Sequence, residues 1–394
     1  MKRMLFAVWA VAGLMATSRA QVKKDTEIRK SIVVEISPNV ELLGFVYFLG
    51  YQGNEIALHD QSFEINHHKT NGKEWFAFGW RLYNEYKPFE KNKNLQIAAG
   101  VAGKIWLDYL INLLIQLDNF PNAKLPDNIA EKYYIRFSEK GNEQEARVNV
   151  KIFIDALNHL YQEVKFNDYL TKYEPYYHIV LKQINQGLPG SKFLPAMESF
   201  YKRQFGSYHL IPSLTIPTSM GFGVSYEQNN EVVVSNVFGP LWFQHLEEIN
   251  NPDLGFSDKR RIRELSTHEF GHSFVNRVID SLPQRLIEES KPLFDSIKNV
   301  MSEQGYAEWK ICLYEHFVRA GEIIIARNTG YLPEAENLLK EYVETRKFIY
   351  LPIIIKVLED YNKNANSSYK SYVIEALYEM KQAYIERAPV SRQK

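Results

Sequence analysis

The stretch Arg260-Arg-Ile-Arg-Glu-Leu-Ser-Thr-His-Glu-Phe-Gly-His-Ser-Phe-Val-Asn276 puts His268, Glu269 and His272 in the order H-E-x-x-H, and the rest of the chain is read outward from it. Successive residues of an α-helix turn by about 100°, so positions four apart share a face and both histidines can aim a ring nitrogen at one ion. Glu269 lies one step round, where its carboxylate reaches a water in the ion's open position rather than the ion itself. The surroundings favour a helix over residues 257–279. Ser257-Asp258 offers an N-cap, Ile262, Leu265, Phe270 and Phe274 supply the apolar residues, and no proline intervenes before Pro283.

The residue types match a hydrolytic metal centre. Neutral imidazole suits a borderline-soft cation such as Zn2+, and three protein ligands leave one position for a water whose pKa falls to about 7. A carboxylate beside that water can take its proton and pass it to a leaving amine. The plainer reading is a surface histidine pair on an ordinary helix. Asn276, four residues beyond His272, continues the same face and either bonds a ligand or ends the helix.

The string from His268 to Asn276 resembles the active-site helix of the zincin metallopeptidases. Together with Asn39-Val-Glu-Leu-Leu-Gly-Phe-Val-Tyr47, Met220-Gly-Phe-Gly223 and Tyr314-Glu-His-Phe-Val-Arg-Ala320, it resembles a family of secreted bacterial proteins, domain of unknown function 4932, over most of the chain. The resemblance implies an α+β, predominantly helical fold with a zincin-like core, in which a small mixed sheet precedes the metal helix. It also implies a peptide or protein substrate whose extended backbone pairs with the sheet's edge strand. Glu231 to Val237 is expected to be that edge, although its three consecutive valines equally suit an inner strand.

The third ligand is less constrained. A metzincin-type continuation would need glycine and histidine where Val275 and Val278 stand, whereas the gluzincin pattern implies a glutamate from a second helix. Glu315, on a helix expected over 306–327, is that glutamate by resemblance. It sits beside the apolar positions Ile311 and Val318, where a carboxylate needs a cation. His316 and Glu308 are its rivals, and an intrahelical ion pair with Arg319 is the alternative to metal binding. Tyr314, His316 and Arg319 compete to stabilise an oxyanion. The expected site is therefore His268, His272 and Glu315 around Zn2+, with Glu269 as base and His316 and Arg319 assisting.

Composition narrows the setting. Lys2 and Arg3, the apolar run Met4 to Met15 and the small residues of Ser18-Arg-Ala20 read as a signal peptide over residues 1–20, which places the product in a periplasm or outside the cell. No later stretch reads as a membrane span. Removing residues 1–20 takes away Lys2, Arg3 and Arg19 and no acid, so a chain of 47 basic and 47 acidic residues becomes one of net charge −3. Nothing in that balance suggests nucleic acid. Cys312 is the only cysteine, so no internal disulfide forms and the thiol reads as a small buried apolar residue.

Two regions are expected after the signal. Residues 21–205 read as mostly helical, with a strand over Ser31 to Ile36 and helices over 39–51, 74–86, 97–117, 148–165 and 176–186. Residues 206–394 hold a sheet over 208–238, the two site helices and three C-terminal helices. His67-His68 reads as a solvated turn, because adjacent histidines point to different sides of any regular element.

Overall fold

Short β-branched runs form the sheet, as their composition dictates. The computed structural model describes residues 31–65, 67–247 and 252–387; the expected signal segment lies outside them. The described residues form six strands: β1 (Ile32–Val34), β2 (Phe63–Ile65), β3 (His68–Thr70), β4 (Ser207–Pro212), β5 (Gly221–Gln228) and β6 (Glu231–Phe238). Four of them make a mixed sheet in the order β1-β4-β6-β5, parallel except for the antiparallel β5–β6 hairpin. Asn229 and Asn230 turn that hairpin with φ of +51° and +63°, values that asparagine tolerates better than most residues.

This order corrects one expectation. The strand read as the edge, β6, is bonded on both sides, and its valines are buried accordingly. The outer strand is β5. At the other edge β1 brings the N-terminal region into the same sheet, so a single hydrophobic core runs through both expected regions.

The expected continuous helix over 97–117 is instead two, Lys93–Ala102 and Leu107–Leu114, bent by 116°. Gly100 and Gly103 weaken the helix at the break, and the second piece buries Leu110, Ile111, Leu113 and Leu114 in a direction the first cannot reach. Among the described residues no single helix is long and apolar enough to cross a membrane. His67 takes φ +67° in the turn of a small β2–β3 hairpin, and His68 begins β3.

The 39–47 motif proves to be a clamp. In the helix Pro38–Tyr47, the Asn39 side-chain amide donates to the carbonyls of Leu114, Leu117 and Asp118, and so caps the end of the helix Leu107–Leu114. Glu41 is fully buried and accepts from the Tyr177 hydroxyl at 2.8 Å and the Leu214 N–H at 3.0 Å. Gly44 lets the helix lie on Thr215, whose hydroxyl oxygen would be 2.2 Å from any added Cβ. The helix is thereby locked onto the segment that leaves β4.

Burial pushes the Glu41 carboxyl up to about 7, opposed by its hydrogen bonds from Ser213, Tyr177 and Leu214. Its folded pKa thus exceeds the ordinary 4.5, so the neutral acid stabilises the fold fully below that value, and the contribution is lost as pH rises through about 7. The effect is on the order of 3 kcal/mol. Calorimetry from about pH 5 to pH 8 should show the unfolding temperature falling in the wild-type chain and falling distinctly less in Glu41→Gln, which is neutral throughout.

Candidate metal centre

The H-E-x-x-H motif lies on the helix Lys259–Asp280, capped by the Asp258 carboxylate, which accepts from the Arg261 N–H at 3.0 Å. Against it packs the helix Trp309–Asn328, which carries Glu315. The two helices bring His268, His272 and Glu315 together, with one ligand atom from each within 4.8 Å of the others. His268 and His272 face each other through their Nε2 atoms at 3.2 Å. Glu315 offers one oxygen at 3.7 Å from His268 Nε2 and the other at 3.4 Å from His272 Nε2.

These separations test whether a cation fits. Two ligand atoms at about 2.0–2.1 Å from a tetrahedral ion lie roughly 3.3 Å from each other, close to the distances seen. The tautomers agree with that geometry. His268 Nδ1–H donates to Glu322 Oε1 at 2.7 Å and His272 Nδ1–H to Asn276 Oδ1 at 3.2 Å, so in the neutral rings both Nε2 lone pairs point inward. Two lone pairs this close repel unless a positive charge sits between them. Burial disfavours the His272 imidazolium, but the Glu315 carboxylate, Glu269 and Asn276 outweigh burial and lift the ring to about 9.

Glu315 is 8% exposed and would be costly there alone. Burial opposes its charge, yet Arg319 with the two histidines holds the carboxyl well below the usual range. The Arg319 guanidinium donates to Glu315 Oε2 at 2.9 Å and to the Tyr306 hydroxyl at 3.2 Å. It lies against the rings of Tyr342, 4.5 Å away, and Phe348, 4.8 Å away. Tyr342 in turn donates to Glu322 Oε2 at 2.7 Å, so the supports of His268 and of Glu315 form one network.

Glu269 is buried beside the ligands but outside their group. Burial raises its carboxyl, partly offset by the histidines and by a hydrogen bond from the Gly223 N–H on β5. The glycines of Met220-Gly-Phe-Gly223 permit this approach. A Cβ at Gly223 would stand 2.4 Å from the Glu269 carbonyl oxygen, and one at Gly221 would stand 2.8 Å from Leu265. A side chain at position 223 would push the motif helix off the sheet, whereas one at 221 would first displace the Leu265 side chain.

The remaining expected residues separate. His316 is fully buried among Trp309, Phe348 and Tyr350, and its Nδ1 bonds the Cys312 carbonyl at 2.8 Å. It does not reach the ligand group, because a residue adjacent to Glu315 is turned about 100° away on the same helix. Burial lowers its ring to about 4 and pushes the Cys312 thiol up to about 12. Tyr314 donates to Asp280 at the end of the motif helix, and Glu308 is exposed at the N-cap of the second helix. Glu322 was not anticipated, although positions 315, 319 and 322 follow helical spacing and so share one face. Tyr306 and Tyr342 carried no sequence signal, since tertiary packing alone brings them in.

Fold and site together define an α+β protein, predominantly helical, with a buried two-histidine, one-glutamate group able to hold a metal ion. A family model described as domain of unknown function (DUF4932) matches residues 32–379, and the chain belongs to that family. No curated protein and no solved structure matches it.

Elemental analysis of the purified chain should find about one metal ion per molecule, and none in His268→Ala, His272→Ala or Glu315→Ala. Glu322→Ala should retain the fold but bind the ion roughly 10- to 100-fold more weakly, as expected when a ligating histidine loses its hydrogen-bond partner.

Proposed function

We propose that the chain is an exported zinc-dependent peptidase in which His268, His272 and Glu315 hold the ion and Glu269 is the general base. The position of Glu269 supports this most directly. A structural metal site needs ligands but no extra carboxylate, whereas here one is buried within electrostatic reach of both histidines without joining the ligand group. The donor set of two imidazoles and one carboxylate suits Zn2+. The reading that the protein is exported rests on the order of basic, apolar and small residues over residues 2–20.

The ion, when bound, would supply Lewis acidity that polarises the substrate carbonyl and makes water a ready proton donor. Glu269 takes that water's proton and returns it to the departing amine. Arg319 keeps Glu315 ionised and in place, so it acts through the ligand rather than on the substrate. The neighbouring strand supports the peptide class. β5 is an outer strand of the sheet, and its glycines bring its backbone close to Glu269. An extended peptide would pair there through its main chain, with β5 taking the role first read for Glu231 to Val237.

In Glu269→Gln the zinc content should be unchanged while peptide hydrolysis falls by on the order of a thousandfold or more, since the amide has the same shape but accepts no proton. Parallel zinc analysis and peptide-cleavage assays measure this. Loss of zinc in that variant would make Glu269 a ligand and defeat the proposed role.

A further inference from the structure

The outer edge of β5 is open for only part of its length. Alternate residues of a strand direct their N–H and C=O groups to the same side. The Gly223 N–H leaves the sheet for Glu269 and the Ser225 carbonyl leaves it for the Tyr133 hydroxyl, so Gly221, Gly223, Ser225 and Glu227 present the outer edge. At the start of the strand Gly221 is half-exposed, and among the described residues nothing bonds its outward N–H and C=O. Two residues beyond Gly223 it is taken. Tyr133, from the turn Glu131–Tyr133, donates to Ser225 at 2.9 Å, and the helix Leu107–Leu114 packs against the same strand.

Beside Tyr133 the covering segment and the β5–β6 turn form an open polar cleft of about 640 Å³, lined by Lys132, Tyr133, Tyr226, Gln228, Asn230 and Arg277. Its size is that of a ligand pocket rather than of a packing fault. Arg277 reaches it from the motif helix, one residue past Asn276. It is half-buried, with no carboxylate within ion-pair distance among the described residues.

From this we infer that the site trims chain ends and does not cut inside long chains, Tyr133 being the stop against which the substrate backbone ends. The inference rests on the peptidase reading and deepens it. A strand advances about 3.3 Å per residue, so Ser225 lies roughly 7 Å beyond Gly223, the residue bonded to the base. A peptide paired along the outer edge from Gly221 therefore has room for about two residues past the base before it meets Tyr133. The released end, short and carrying a free terminus, fits the polar cleft. A long chain continuing in the same direction would have to displace Tyr133 from Ser225 and the helix behind it.

The test uses the full zinc-loaded chain, with tryptic peptides of an unrelated unfolded protein as probe and mass spectrometry as readout. The expected products are shortened by one or two residues at one terminus only, and a head-to-tail cyclised form of a cleaved peptide stays intact. Tyr133→Ala, with zinc content and unfolding temperature checked against wild type, should raise the rate of internal cleavage roughly tenfold or more relative to terminal cleavage. Internal cuts by the wild-type chain, or cleavage of the cyclic peptide, would overturn the inference while leaving the peptidase reading standing. Failure of the zinc-loaded chain to cut any peptide would overturn both. If Tyr133→Ala keeps the wild-type product pattern, Tyr133 is not the stop and the inference falls with it.

Discussion

A buried carboxylate that has to be neutralised holds the centre of this protein together. Glu315 is almost wholly enclosed, and an isolated charge in such a place would cost several kcal/mol. Arg319 meets it on one side and two imidazoles on the other, and each partner is itself held. Arg319 lies against the rings of Tyr342 and Phe348, His268 is tied to Glu322, and Glu322 is tied back to Tyr342. The network closes on itself across two helices and the Glu341–Thr345 turn that carries Tyr342. The separations of the ligand atoms follow from that packing, so the site is preorganised for a cation before one arrives.

A second constraint sets what lies above the ligands. The motif helix can approach the sheet closely enough for Glu269 to bond β5 only because position 223 lacks a Cβ. The clamp made by Asn39, Glu41 and Gly44 acts at a distance from the ions' ligands, yet it belongs to the same design. It joins the helix Pro38–Tyr47 to the exit of β4 and to the end of the helix Leu107–Leu114, which in turn packs on β5. The four stretches that carried the family resemblance are therefore the points where the helices grip the sheet and where the ligand group is assembled.

Much of this was legible in the residues. The 3.6-residue period and the Asp258 cap located the motif helix to within two residues of its observed ends, and the H-E-x-x-H spacing named the two histidines of the ligand group and set Glu269 apart from them. Glu315 stood out as an acid among apolar neighbours. The break near Gly103 was lost because the apolar pattern runs on through it, and the pattern does not record that the two halves bury their faces in different directions. His316 was read toward the site because it adjoins Glu315 in sequence, but on a helix adjacency means divergence.

Sequence by itself determined the local terms: which segments are helical or extended, which residue types could ligate a cation, and which carboxylate could be spared as a base. These depend on spacing along one helix and on the chemistry of single side chains. Only the tertiary structure decided that β5 rather than β6 is the outer strand, that Glu322 and Tyr342 support His268, and that the Tyr133 hydroxyl bonds Ser225 on β5. The physical reason is that strand order and long-range hydrogen bonds depend on how whole elements pack. A run of valines fits an inner or an outer strand equally well until its neighbours are in place.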